Sequence, residues 1–555
     1  MSLDGLRDLS WLILSLSLFS AAALASVATI LSFLIRRFKQ ISVWKIPGPP
    51  SISYMSGNYS QMFHAGASEF HAHLNRTYGR VVRITGLLSD AELVISDARA
   101  CASILVKDQD NFEVIEWFME EAFRGSSHRL LSLKGAHHRK LRKQLNPVFA
   151  PKHLRAMVPL FHTVAQQLRE VLENKVAHGP QEIDLLNWLS RLSLEMILQG
   201  GLGHTFDSLN PDGGESEFGK AIKEFTPTMT RLIAFCMFFP LVSRWPSWIL
   251  RFGAKLMPFP MIHNIIRVTD TIDKHAREIF DHKKALLKSG EQQFAQQISH
   301  GKDLISVLMK SNSDASDDER FTDEEIMGQM ASLSFAATDT TSTALARIFF
   351  MLAQHPDAQE KLRHELDDAL AVSGANSLGY DELGDLPYLD AVCKETLRMF
   401  PPLNFAHRVC LADTAVPLSQ AVHTAEGPMD TLVIPRGTAV HVNIIGLNRD
   451  PYIWGADGNE WKPERWLAPL PGSVLAARIP GVYANTLTFV GGSRSCIGFK
   501  FSELEMKVVL SQLVPAFRFS LSQTEVIWRF GGITSPTVKG SDAVGPSMPL
   551  VLQKV

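Results

Sequence analysis

Paired cysteines are missing from this chain. Its five cysteines, at 101, 236, 393, 410 and 496, are scattered through 555 residues, odd in number, and none stands in a CxxC pair. That leaves no basis for a disulfide framework and points to reducing surroundings for the main body. HExxH and the Cys/His spacings of zinc sites are absent too, so no metal motif of that kind is available. Charge of one sign is also lacking. The 55 Lys and Arg nearly balance 57 Asp and Glu, net −2, which removes the global electrostatic case for a nucleic-acid partner. What is present is core material: 46% of residues are apolar and 20% charged, near the globular norm. Length alone would suggest three or four domains.

One long charge-free run does occur, Trp11 to Ile35, 25 residues. As a helix it would extend ~38 Å, enough to span a bilayer with some tilt. A cleaved signal peptide has a shorter apolar core, so residues 1–45 are expected to form a retained membrane anchor. Arg36, Arg37, Lys39 and Lys45 follow the run, against Arg7 with Asp4 and Asp8 before it. The positive-inside rule then places the body in the cytosol. Ile46-Pro-Gly-Pro-Pro50 is a stiff turn. Arg80 to Ser96, alternating and rich in Val and Ile, reads as one or two strands.

The chemistry concentrates in Phe489-Val-Gly-Gly-Ser-Arg-Ser-Cys-Ile-Gly498. A lone cysteine is ordinarily a small buried hydrophobe. Here Cys496 stands two residues after an arginine and just before a helical segment, Phe499 to Leu513, whose free amides favour a thiolate. Glycines let a backbone approach a flat ligand, and Arg494 offers a planar fork for a carboxylate. Thiolate ligation of haem iron follows as the reading. The spacing Phe-x-x-Gly-x-Arg-x-Cys-x-Gly, carried by Phe489, Gly492, Arg494, Cys496 and Gly498, resembles in full the haem-binding signature of the cytochrome P450 family.

Other segments extend the resemblance. Gly135 to Pro147 is strongly basic, and His138 and Arg142 share a helix face at i and i+4. They match the family's helix that grips a haem propionate, with His138 where many members carry Trp. Arg139, Lys140 and Lys143 would face an acidic redox partner. Thr322-Asp-Glu-Glu325 is a capping box, and its helix can run to Gln354, ~50 Å. Thr338 to Thr343 inside it is poor helix material. Those hydroxyls could merely bond one turn back. Yet Ala336-Ala-Thr-Asp-Thr-Thr341 resembles the family's oxygen-activation motif, with Ala337 replacing the usual Gly. Asp339 and Thr340 would then relay protons while the O–O bond breaks.

Glu395 and Arg398 match the family's Glu-x-x-Arg, with Arg465 the third member of a buried structural cluster. Arg408 corresponds to a strand arginine on a propionate, and Asn448 replaces the family's His in Asn448-Arg-Asp-Pro451. Ile434-Pro-Arg-Gly437 reads as a hairpin turn. Phe335, Ala336, Ala337, Ile533 and Thr534 are the expected pocket lining.

The resemblance covers residues 46 to 553. It implies a mainly α fold with small β-sheets, one haem-thiolate catalytic domain at 46–555 behind a single transmembrane helix. It also implies haem b, electrons from NADPH through cytochrome P450 reductase, cytochrome b5 as a further donor, and placement on the cytosolic side of the endoplasmic reticulum membrane, among its lipids. The expected function is a monooxygenase acting on a hydrophobic small molecule. The 135–149 pattern resembles fungal members, many of which oxidise terpenoids or other secondary metabolites. The alternatives are a haem-thiolate isomerase or dehydratase working without dioxygen, and a non-enzymatic haem sensor.

Overall fold

The helix that starts at the capping box organises the molecule. The computed structural model describes residues 40–115, 133–211, 214, 216–236, 247–289, 303–314, 320–375, 377–541 and 545–555. Its helices of eight residues or more are α1 (Ser68–Tyr78), α2 (Gly135–Leu145), α3 (Pro151–Lys175), α4 (Leu185–Ile197), α5 (Glu217–Cys236), α6 (Ser247–Leu256), α7 (Pro260–Ser289), α8 (Leu304–Asp314), α9 (Asp323–Gln354), α10 (Pro356–Ser373), α11 (Pro387–Met399) and α12 (Phe499–Leu513). The expected membrane segment at 11–35 lies outside the described residues, and among these no helix is long and apolar enough to cross a membrane.

The capping box of α9 forms as expected. Thr322 Oγ1 accepts the Glu325 amide at 3.2 Å, and Glu325 Oε2 accepts the Thr322 amide at 2.9 Å. Pro356 opens the next helix. The poor middle of α9 does not break it. Ser332, Ser334, Thr338 and Thr340 each donate to the carbonyl four residues back, so the hydroxyls are satisfied one turn back along the helix itself. Around α9 stand α3, α4 and α12, joined by one apolar cluster; Phe161 of α3 meets Phe501 of α12 edge-on at 4.9 Å.

The sheets are small. Strands β1 (Val81–Thr85), β2 (Ala91–Ile95), β3 (Phe112–Val114), β5 (Phe405–Cys410) and β8 (Ala439–Asn443) form one sheet in the order β1-β2-β8-β5-β3. Between β3 and β5 in the chain lies β4 (Gln181–Asp184), which pairs with β12 (Pro549–Lys554) beside β9 (Phe517–Leu521). Two hairpins, β6 (Thr414–Thr424) with β7 (Gly427–Ile434) and β10 (Val526–Arg529) with β11 (Ser535–Val538), complete the set. The Ile434–Gly437 turn is corrected here. It joins β7 to β8, which belong to different sheets, so it is a crossover and not a hairpin. Gly437 supplies its positive φ of 86°, which is why its sequence looked like a hairpin turn.

Candidate active site

Cys496 is both enclosed and accessible. Surrounding protein pushes its thiol above the ordinary value, against the Gly498 amide and the Arg142 charge, yet the residue keeps open surface. The loop that holds it is tightly determined. Cys496 N donates to Phe489 O at 2.8 Å and Ser495 N to Gly492 O at 3.1 Å. Gly492 has φ +71°, and a Cβ there would stand 1.8 Å from the Leu105 carbonyl; one on Gly491 would stand 1.8 Å from that of Pro480. Gly498, which caps α12, differs: a Cβ would meet only Phe149, at an ordinary 3.7 Å. The protein itself does not require glycine there. Phe489 packs against Tyr483 and Phe499.

Glu395, Arg398 and Arg465 come together as expected, the first two buried and Arg465 half-buried. Arg398 meets the Glu395 carboxylate with two bonds, 2.9 and 2.7 Å, and Arg465 Nε reaches it at 3.3 Å. Arg398 also donates to the Asn448 carbonyl at 2.8 Å. Asn448 in turn accepts the Leu487 amide at 2.8 Å and donates to Thr488 Oγ1 at 3.0 Å. The cluster thus reaches the entrance of the cysteine loop through Asn448, whose side chain is bonded to that loop.

Three of the expected cofactor-binding residues border one cavity of ≈ 250 Å³: His138, Arg408 and Arg494, beside Glu113. Burial and the two arginines 494 and 142 lower His138 to about 4, so its ring is neutral at physiological pH. Arg408 is buried, donates to the His407 carbonyl at 2.9 Å, and has no carboxylate partner among the described residues. Burial pushes its guanidinium down to about 10. Arg494 is already engaged by Glu113 at 2.6 Å and by the Leu133 carbonyl at 2.7 Å. Arg142 differs from expectation. It donates to the Ser495 carbonyl and, at 2.9 Å, to Ser495 Oγ, holding the residue before Cys496. Both pairings join segments hundreds of residues apart, and no local pattern marks Glu113 or Ser495.

On α9, Phe335, Ala336, Ala337, Asp339 and Thr340 are half-buried. Thr340 Oγ1 donates to the Ala336 carbonyl at 2.7 Å. Asp339 accepts from Thr226 Oγ1 of α5 at 2.6 Å. Burial raises its carboxyl to about 6, against the Thr226 bond and the Lys223 charge. Phe225, next to Thr226, meets Phe335 edge-on at 4.6 Å. Sequence reasoning missed Thr226; it carries no local signal. Ile533 pairs with Leu403 and Thr534 N donates to the Pro402 carbonyl, so the pocket turn is seated on the segment after α11.

The family's sequence model for cytochrome P450 matches residues 47–539. The chain belongs to the cytochrome P450 family. Its relatives include cytochrome P450 monooxygenases 91 and 81 of Postia placenta, 41% and 42% identical over 94% and 95% of this chain and 96% of each relative. A ganoderic acid synthetase of Ganoderma lucidum is 41% identical over 91% of this chain and 93% of its own. The haem-thiolate cofactor implied by the family fits the donors seen here. An exposed cysteine stands on a tightly held loop, a Cβ on the glycine two residues on would meet only an ordinary contact, and a buried arginine with no carboxylate partner among the described residues stands ready for an anion. This cytochrome P450 is accordingly an oxidoreductase of the monooxygenase type.

Proposed function

We propose that this cytochrome P450 inserts one oxygen atom from dioxygen into a hydrophobic small molecule, a terpenoid or related secondary metabolite, with electrons from NADPH through cytochrome P450 reductase and with cytochrome b5 as an accessory donor. Residues 1–45 would anchor the 46–555 catalytic body to the endoplasmic reticulum membrane on its cytosolic side. The relative named for ganoderic acid supports a metabolite substrate. The observation that carries the reading is the acid–hydroxyl pair Asp339–Thr340, enclosed on α9 with its carboxyl near 6.

Haem, when bound, supplies the activation of dioxygen and the oxidising power. Cys496 Sγ would hold the haem iron, its loop held by Arg142 and by Asn448. Arg408, with Arg494 and the neutral His138 ring, would receive the carboxylates. Asp339 near neutrality can both take and give a proton at physiological pH, and Thr226 orients its carboxyl. Thr340 would hold a proton beside the reacting oxygen once its hydroxyl turns from the Ala336 carbonyl. An isomerase would have no use for this pair. The test is turnover with reductase: Thr340→Ala should consume NADPH while releasing peroxide instead of product. Full coupling in that variant, or turnover without NADPH, would contradict the reading.

A further inference from the structure

Arg347 lies seven residues beyond Thr340 on α9, so the two side chains leave the same face roughly 10 Å apart along the axis. It is nine-tenths buried, with 9% of its surface exposed. Its guanidinium stands 3.2 Å from the Trp528 ring centre and 4.2 Å from that of Phe400. Its Nε has no hydrogen-bond partner, and no carboxylate pairs with it among the described residues. The neighbouring charge is a second cation: Arg449, 4.9 Å from the same Phe400 ring. Arg449 is satisfied, donating Nε to the Met399 carbonyl at 2.6 Å. Arg347 is not.

Two more buried polar atoms lack a partner among the described residues in the hairpin that covers Arg347. They are Trp528 Nε1 on β10 and Thr534 Oγ1 in the turn between β10 and β11. That turn rests on Pro402 and Leu403, two and three residues after Phe400. The helix face and its covering hairpin therefore hold a cation, an indole donor and a hydroxyl, with no acceptor assigned to them. Stacking on two aromatic rings offsets part of the cost of burying the charge. It satisfies none of the N–H groups, and interiors rarely leave such donors unmade. Packing alone does not account for an arginine here. An anionic group does.

We propose that Arg347, beside Trp528 and Thr534, is the recognition site for a carboxylate on an otherwise apolar substrate, which sets the oxidised carbon roughly 10 Å from the acid group. The proposal rests on the monooxygenase reading, which it deepens by naming the substrate class. The shared chemistry with a small free anion is separated by experiment.

Equilibrium dialysis of the full-length, haem-loaded protein compares hexadecanoic acid with its methyl ester, with and without excess acetate. The wild type should hold the acid at least about tenfold more tightly, the least that a hydrogen bond to a charged group supplies. Arg347→Met should lose that preference at unchanged ester affinity, and Arg347→Lys should keep part of it. Equal binding of acid and ester by the wild type overturns the proposal even if neither variant folds. So does a preference that survives in Arg347→Met, or acetate abolishing it, which would mark a small-anion site. The ferrous CO spectrum of the same preparation reports on the haem-thiolate reading separately.

Discussion

Thr226 Oγ1 on α5 donates to Asp339 Oδ2 on α9 at 2.6 Å. The bond ties the proton-bearing carboxyl to the helix that also sets Phe225 against Phe335. It favours the ionised carboxyl, whereas burial opposes it. Thr226→Val should therefore raise the Asp339 carboxyl above about 6, by about one unit for a bond of this type. The acid limb of the coupled turnover profile moves to higher pH by that amount, and Thr226→Ser restores it. An unmoved limb in Thr226→Val would show that the bond is not part of the relay.

The glycines of the cysteine loop should separate cleanly. Gly492→Ala drives a Cβ to 1.8 Å from the Leu105 carbonyl at a φ of +71°, so the loop must open and thermal stability and haem retention fall together. Gly498→Ala meets only an ordinary 3.7 Å contact with Phe149. It should leave the apoprotein's melting temperature within a degree or two, of the order expected when less than about 0.5 kcal/mol is lost, while weakening haem retention. A large fall in apoprotein stability for Gly498→Ala would contradict a ligand-facing role.

Arg398→Met removes two of the bonds to the Glu395 carboxylate, which is 0% exposed and keeps Arg465 Nε at 3.3 Å and Trp466 Nε1 at 2.9 Å. Removing one partner of a buried pair costs about 3–5 kcal/mol. The loss should appear in denaturant melts and, because Arg398 reaches Asn448 and so Leu487, as faster haem release. A stability unchanged from wild type would show the cluster to be dispensable.

Glu505 on α12 accepts from Ser193 Oγ at 2.5 Å, and burial pushes its carboxyl from 4.5 up to about 8. Below pH 4.5 folded and unfolded states both hold the proton. As pH rises from there to about 8, only the folded state keeps it, so the stability it contributes is progressively lost and levels off above about 8. Glu505→Gln should flatten the fall in melting temperature between pH 5 and pH 9, an effect of order a few kcal/mol. Parallel melting profiles for the two proteins would contradict this.

What could be read from the sequence was local. The capping box at Thr322, the i, i+3 pair Glu395–Arg398 and the short spacing around Cys496 are patterns within one segment, and each formed as the spacing required. The spacing around Cys496 put Arg494 near the site, and the i, i+4 relation to His138 put Arg142 there, but neither pattern gave their partners. Ser495 lies 353 residues from Arg142, and Glu113 lies 381 from Arg494. Such pairings depend on how distant segments pack. Thr226, 113 residues from Asp339, was hidden for the same reason. The Pro-Arg-Gly turn after Ile434 shows the converse limit. Turn chemistry fixes a change of direction but not which strand the chain joins next.

The central claim is that Cys496 is the thiolate that holds haem iron. The ferrous, CO-bound spectrum of the full-length protein tests it most directly. The account predicts a red-shifted, thiolate-type Soret band in the wild type and its loss in Cys496→Ala. A wild type without that band, or a band that survives in Cys496→Ala, would contradict it.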